Sequence, residues 1–218
     1  MGAGIPGAGR AAAGARVTAA PGDRGGAVRV EPLAARHLAA YQALFEAAHA
    51  PCFCRYWHFA GTKNQWLARC AEAPGENLQE ATEALSAADP TSHGLLALAG
   101  DGRAVGWLKV APILALPKLR GLPVYRAVPA PPGVAFGIGC VLVHPDARRR
   151  GVARALLAAA PAYARGLGAT HLEAYPRRSS VPLHDEEVGQ GPEALFRAAG
   201  FALVHDEAPY PVYRLTLA

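Results

Sequence analysis

The sequence predicts an α/β fold in which strands and helices mix in one sheet. Two observations predict it. Short apolar runs of strand length alternate along most of the chain with longer segments whose apolar residues recur at helical spacing. Paired apolar runs occur twice: in the middle, where HGLLALAGDGRAVGWLKVAP turns at Asp101-Gly102, a strong short-range hairpin signal, and again at the end, in FALVHDE and YPVYRLTL.

Each element is legible in order. AVRVE, residues 27–31, alternates as a strand, and PLAARHLAAYQALFEAAHA follows with Leu33, His37, Leu38, Tyr41, Leu44 and Phe45 on one helical face and Pro32 at the first helical position. GTKNQWLARCAEA and GENLQEATEALSAADP predict two more helices, the second stopped by Asp89-Pro90. After the hairpin, ILALPKLRGLPVYRAVPAPPG reads as a proline-rich connection into the strand VAFGIGCVLV. The helix GVARALLAAAPAYARGLG comes next, with Leu156, Leu157, Ala160 and Tyr163 on one face and Gly166 or Gly168 as its stop; Pro161 should kink it or mark its last turns. Strand THLEAY and helix GPEALFRAAG lead to the closing pair of strands. Residues 1–26 are low-complexity Gly, Ala, Pro and Arg, too poor in apolar surface to offset their ordering entropy, and are expected to be disordered; residues 27–218 are expected to form one domain.

Composition narrows the function classes. The chain is 51% hydrophobic and 18% charged, as a globular protein is, and no apolar run approaches the roughly 18 residues of a membrane span. Only Lys63, Lys109 and Lys118 of the 22 basic residues are lysines, so the net charge of +5 reflects arginine usage and hints at anionic ligands. Without interleaved aromatics it makes a poor case for nucleic acid. The N-terminal stretch has no continuous apolar core of a leader, and Cys52, Cys54, Cys70 and Cys140 are expected as free thiols in a reducing cytoplasm. Zinc on Cys52, Cys54 and Cys70 with His49 or His58 is the competing reading, but Cys-x-Cys is not the usual Cys-x2-Cys knuckle and no second pair follows, so no metal is expected.

The segment VLVHPDARRRGVARALLAAA, 141–160, carries the chemistry. A helix start leaves about four backbone N–H groups without intrahelical partners, and the helix dipole adds roughly half a positive charge there. Gly151 allows a tight turn with amides pointing inward, Ala153 keeps the surface bare, and Arg148, Arg149, Arg150 and Arg154 stand around it. Such a nest suits a diphosphate. A basic helix start on the surface, with glycine as a simple turn, fits the spacing equally well.

The surrounding order resembles the GNAT superfamily of N-acetyltransferases. Its signature [Q/R]-x-x-G-x-[G/A] is matched by Arg148-Arg149-Arg150-Gly151-Val152-Ala153, the preceding apolar alternation by Val141-Leu142-Val143-His144-Pro145, and the closing helix before Gly-Phe by Leu195 to Phe201. The hairpin ending in Gly106-Trp107 sits where that fold has its second and third strands. The details resemble a bacterial subgroup that pairs a Cys-x-Cys-x-Tyr-Trp segment, here CFCRYW at 52–57, with Gly-Trp, with Pro112, Leu116, Pro117 and Leu119, and with Glu173, Tyr175 and Pro176.

The resemblance implies a central mixed sheet of six to seven strands flanked by helices. It implies acetyl-CoA as cosubstrate and direct transfer of the acetyl group to the amine of a small molecule. A protein or peptide amine, or a non-catalytic acyl-CoA-binding sensor, are the alternatives. Amides from Arg149 to Arg154 would hold the pyrophosphate, with Arg148 beside them, and backbone groups of Val141, Leu142 and Val143 would pair with the pantetheine arm as an added strand does. Dimers are common for this fold, so a homodimer is carried as an expectation, with neither nucleic acid nor membrane as partner.

The sequence also departs from the family's habits. Where many members carry a Glu early in the fourth strand it has Gly137-Ile138-Gly139-Cys140, and where many have a Tyr before Gly-Phe it has Phe196. Glu173 is then the best-placed carboxylate for a proton acceptor, with Tyr175 on the same strand face. Cys54, Tyr56, Trp57 and Trp107 are expected to line an aromatic acceptor pocket. His144 and the run His184-Asp185-Glu186-Glu187 read as solvated surface, while Trp66 reads as core.

Overall fold

The structure, a computed structural model, describes residues 28–121, 123–179, 181 and 189–218; the N-terminal segment 1–26 and the acidic run 184–187 lie outside the described residues. Seven strands form one sheet: β1 (Arg29–Pro32), β2 (Gly94–Leu98), β3 (Ala104–Pro112), β4 (Ala135–Val143), β5 (His171–Ala174), β6 (Ala202–His205) and β7 (Val212–Thr216). Their order is β1-β2-β3-β4-β5-β7-β6. Every neighbouring pair is antiparallel except β4 and β5, which are parallel. A mixed seven-stranded sheet is what the sequence led us to expect.

Both faces of the sheet are covered, which is why β2 is buried along its whole length. The period of two still sorts its side chains. Leu95 and Ala97 join the core beneath α6 (Val152–Gly166), while Leu96 and Leu98 join Tyr41, Leu44 and Phe45 of α1 (Leu38–Ala47). Helix α2 (Lys63–Glu72) starts with a capping box: Thr62 Oγ1 accepts from the Gln65 N–H, and Gln65 Oε1 accepts from the Thr62 N–H at 2.8 Å. It runs into α3 (Pro74–Ser86), which has proline at its first turn.

Helix α6 lies close against β3 because Gly106 has no side chain; a Cβ there would sit 2.6 Å from Val152 Cγ1 and 2.9 Å from Leu156 Cδ1. That close approach fixes the start of α6 relative to the sheet. Leu156, Leu157, Ala160 and Ala164 are buried beneath it, and the Tyr163 hydroxyl accepts from the Gly94 N–H at 3.2 Å. Pro161 stands inside the helix without ending it. The chain closes with α7 (Glu193–Ala198).

Two expectations are corrected. Pro32 does not open a helix; it ends β1, paired with Leu95, and the helical chain begins with a 3-10 turn at Ala35–His37. The proline-rich connection is structured: after a 3-10 turn at Ile113–Ala115 it forms α4 (Pro117–Gly121) and α5 (Pro123–Arg126). Leu116, Leu119 and Tyr125 from this stretch bury themselves with Trp57, Tyr175 and Val212. Among the described residues no helix is long and apolar enough to cross a membrane.

Candidate active site

Strand β4 pairs with β3 as far as Val143, but with β5 only as far as Ile138 opposite Ala174. Beyond that point the two parallel strands part. The register with β3 also skips a residue here, Lys109 facing Cys140 while Val110 faces Ile138, so Gly139 is a bulge. Trp57 packs against this bulge, its indole N–H donating to the Gly139 carbonyl at 2.7 Å. A Cβ on Gly139 would lie 2.9 Å from two atoms of that ring.

From the parting, a cleft of about 670 Å³ runs along β4 to the start of α6. Its floor is Cys140 to Val143; one wall is Phe45, Ala48, His49 and Cys52, and the other is Gly191, Pro192 and Leu195. At its far end stand Arg148, Arg149, Gly151, Val152, Ala153 and Arg154. The turn there is built from two left-handed residues, Arg149 at φ 60° and Gly151 at φ 79°. For arginine that conformation costs roughly 1–2 kcal/mol. The first helical bond is from the Ala155 N–H to the Gly151 carbonyl, and Gly151, standing at the N-cap, has no side chain with which to cap the first turn. Amides of the first turn therefore open into the cleft, where the helix dipole favours an anion. Arg149 and Arg154 are exposed beside them; Arg150 is exposed as well but does not line the cleft.

The peptide groups of β4 are more constrained than expected. The Val141 N–H is already taken, donating to the Gly189 carbonyl at 2.8 Å. Alternation along the strand then turns Val143 to the same side and turns Leu142 toward β3, opposite Trp107. Leu142 thus belongs to the ladder, a correction to its expected role in pairing with a ligand.

The expected acid–base pair lies elsewhere. Glu173 is completely buried, its Oε1 bound by Arg214 at 2.6 Å and 2.9 Å and its Oε2 accepting from the Tyr175 hydroxyl at 2.5 Å. Neither Glu173 nor Tyr175 lines the cleft. Both carboxylate oxygens are engaged, so this group is a structural ion pair rather than a proton acceptor at the thioester. The face over Gly137 and Gly139, where a family carboxylate would project, is filled by Leu116 and Trp57.

The four expected acceptor-pocket residues do not line the cleft either. Tyr56 and Trp57 stack edge-on, and Lys118 sits 5.2 Å over the Tyr56 ring while donating to the Phe59 and Gly61 carbonyls. Trp107 and Cys54 are buried with Tyr41, Phe45 and Phe53. Trp66 is core, as the sequence suggested; His144, expected as solvated surface, has its side chain only 13% exposed and acts locally, its Nδ1 accepting from the Asp146 N–H.

Sequence reasoning missed three residues. His49 lies on the cleft wall in a left-handed conformation, φ 50°. Cys140 lies on its floor. Lys109, beside Cys140 across the ladder, is buried with its ammonium on the Thr91 carbonyl. Burial pulls the Lys109 ammonium down to about 8. Burial pushes the Cys54 thiol up, but the neighbouring Cys140 thiol and the Lys109 ammonium outweigh it and hold Cys54 below the ordinary thiol range. The neighbouring Cys54, and then burial, push the Cys140 thiol up. Among the described residues no group of three His, Cys, Asp or Glu could hold a metal ion.

Comparison with known proteins bears on this geometry. The profile of the acetyltransferase (GNAT) family matches residues 42–189. No curated protein matches the chain. Among solved structures, the GNAT domain of PAT from S. lividans is 20% identical, with 88% of this chain and 92% of that one covered at a TM-score of 0.52. PaiA N-acetyltransferase from Thermoplasma acidophilum, in complex with coenzyme A, is 12% identical over 87% and 99% of the two chains at a TM-score of 0.50. An N-acetyltransferase from Staphylococcus aureus Mu50 is 14% identical over 88% and 99%, also at 0.50. At these identities the likeness is one of fold.

Proposed function

Because the chain belongs to the acetyltransferase (GNAT) family, we propose that it takes the acetyl group of acetyl-CoA to the amine of a small, partly apolar molecule. The observation that carries this reading is the continuity of the cleft, from an anion-binding turn at the start of α6 to the parting of β4 and β5. Its volume suits a flexible cofactor arm. A diphosphate would sit on amides of Gly151 to Arg154 with Arg149 and Arg154 at its rim. The arm would follow Val143 and Val141 as an added strand. The Gly189 carbonyl, which the Val141 N–H now serves, stands where an amide carbonyl of that arm would accept, so it must yield when the arm binds. The Thermoplasma acidophilum neighbour's complex with coenzyme A supports the choice of cofactor.

The preference for a small acceptor rests on the same parting of the strands. An extended peptide needs an open groove above it, and Trp57, Leu116, Leu119 and Tyr125 occupy that face as a packed cluster. What remains open is the wall of Phe45, Ala48 and Cys52, which is largely apolar. The amine must arrive neutral and within about 3 Å of the thioester carbon.

The test is release of free CoA thiol from acetyl-CoA with a panel of small amines and amine-bearing peptides. Turnover confined to small amines is expected. Turnover confined to peptides would contradict the acceptor class, and thermal stabilisation by acetyl-CoA without turnover on any amine would mark a binding module.

A further inference from the structure

The amine must lose a proton as it takes the acetyl group, and Glu173 is held too deep in its ion pair to accept it. Among the described residues that line the cleft, the side chains able to ionise are His49, Cys52, Cys140, Arg148, Arg149 and Arg154. Arginine stays charged and has no lone pair to offer. Burial pushes the Cys52 thiol up to about 12, and the neighbouring Cys54, and then burial, push the Cys140 thiol up, so both sulfurs keep their protons. On the same helix as His49, Glu46 is exposed and accepts from the Gln42 side chain at 2.8 Å. The opposite wall of Gly191, Pro192 and Leu195 offers no ionisable group. His49 is what remains, and imidazole is the side chain suited to taking a proton near neutral pH.

The backbone at His49 points the same way. Helix α1 ends in a Schellman turn: the Ala50 N–H donates to the Phe45 carbonyl at 2.9 Å and the His49 N–H to the Glu46 carbonyl at 3.0 Å. His49 stands at the left-handed position of that turn, φ 50°, where glycine fits without strain. The turn itself therefore gives no reason for a histidine. Its neighbours fix where this wall lies: Phe45 belongs to the apolar cluster against which Ala50, Cys52, Cys140 and Leu142 all pack. That places it beside the stretch of β4 that β5 has left, where the thioester would lie. His49 is also exposed, so a proton it takes can pass on to water.

We propose that His49 is the proton acceptor for the incoming amine, an assignment that rests on the acetyl-CoA reading above. The amine nitrogen uses its lone pair to form the bond to the thioester carbonyl carbon, and a ring nitrogen of His49 takes the proton that this nitrogen sheds. The carbon–sulfur bond then breaks with its electron pair on the CoA sulfur. The imidazolium returns its proton, through water, to that thiolate, and no co-reactant is needed.

The experiment compares kcat/KM for one amine, at saturating acetyl-CoA, in the full chain, in His49→Asn and in His49→Gly, from about pH 5 to about pH 9. Asparagine and glycine both tolerate the left-handed position, so neither the melting temperature nor acetyl-CoA affinity by calorimetry should fall. Titration of the amine is common to the three proteins and cancels in their ratios. The advantage of the unsubstituted chain should be about 100-fold at high pH and should shrink as pH falls through the range where imidazole gains a proton. Added imidazole should restore part of the turnover of His49→Gly. A ratio that stays constant with pH, or equal turnover in all three proteins, overturns this inference and leaves acetyl transfer in place. Acetyl-CoA that fails to bind, or that binds without turnover on any amine, overturns the reading beneath it and this inference together.

Discussion

Glu173 of β5 and Arg214 of β7 face each other directly across the antiparallel ladder and close a buried ion pair at 2.6 Å. Arg214 also donates to the Pro129 carbonyl, and Glu173 accepts from Tyr175, so the pair ties the stretch after α5 to the middle of the sheet. Removing one partner leaves the other buried and uncompensated. Glu173→Gln is therefore expected to cost about 3 kcal/mol in urea unfolding, with KM for acetyl-CoA unchanged in the folded protein. A selective loss of turnover at full stability would return Glu173 to the chemistry.

Arg149 is left-handed at φ 60° and exposed at the rim of the turn. Arg149→Gly relieves roughly 1 kcal/mol of strain and returns a similar amount of chain entropy to the unfolded state, so the melting temperature should hardly move. Loss of one exposed cation should weaken CoA binding by about 1 kcal/mol, roughly fivefold. The weakening should shrink with added salt. Calorimetry at two ionic strengths checks both parts.

Trp57 donates to the Gly139 carbonyl at 2.7 Å inside a packed cluster. Trp57→Phe keeps most of the apolar contact but strands a buried acceptor, at a cost of about 1–3 kcal/mol. Chemical denaturation should show that loss. Equal stability would mean that the bulge is held by the β3–β4 ladder alone.

His58 makes stability depend on pH. Both its ring nitrogens are buried and, among the described residues, find no hydrogen-bond partner. Burial first, and then the nearby Lys109 and Arg55 charges, lower its affinity for a proton from 6.5 to about 3. With the folded value depressed, the unfolded chain gains a proton that the folded chain refuses. The contribution is fully present above pH 6.5 and is lost as pH falls through 6.5 toward 3. Between pH 6.5 and 5 the slope should be up to about 1.4 kcal/mol per pH unit, and His58→Phe should flatten it in denaturation curves taken across that range.

What could be read beforehand was whatever is local. Period-two runs gave the strands, 3.6-residue spacing gave α1 and α6, and Arg148 to Ala153 marked the turn because a helix start needs only its own residues. The catalytic assignment failed at Glu173 because its partner, Arg214, lies 41 residues away and no spacing rule brings the two together. Cys140 looked like an ordinary strand residue; only the bulge at Gly139 and the end of β5 pairing place it on the cleft floor. The prolines between 112 and 132 suggested an irregular connection, yet Leu116, Leu119 and Tyr125 had a hydrophobic face to fill. Lys109 sat in an apolar strand pattern where a lysine is usually solvated; only the structure shows it buried, with its ammonium on the Thr91 carbonyl.

The claim on which the rest depends is that the turn at Gly151 receives the diphosphate of CoA. Calorimetric titration of CoA into the unsubstituted protein and into Gly151→Glu tests it most directly. A carboxylate at that position would fill the anion site with the protein's own charge. We predict saturable binding to the unsubstituted chain and, with the fold intact by circular dichroism, at least about a hundredfold weaker binding to the variant, two or more charge-assisted bonds being lost. Equal affinity in the two proteins would contradict the account.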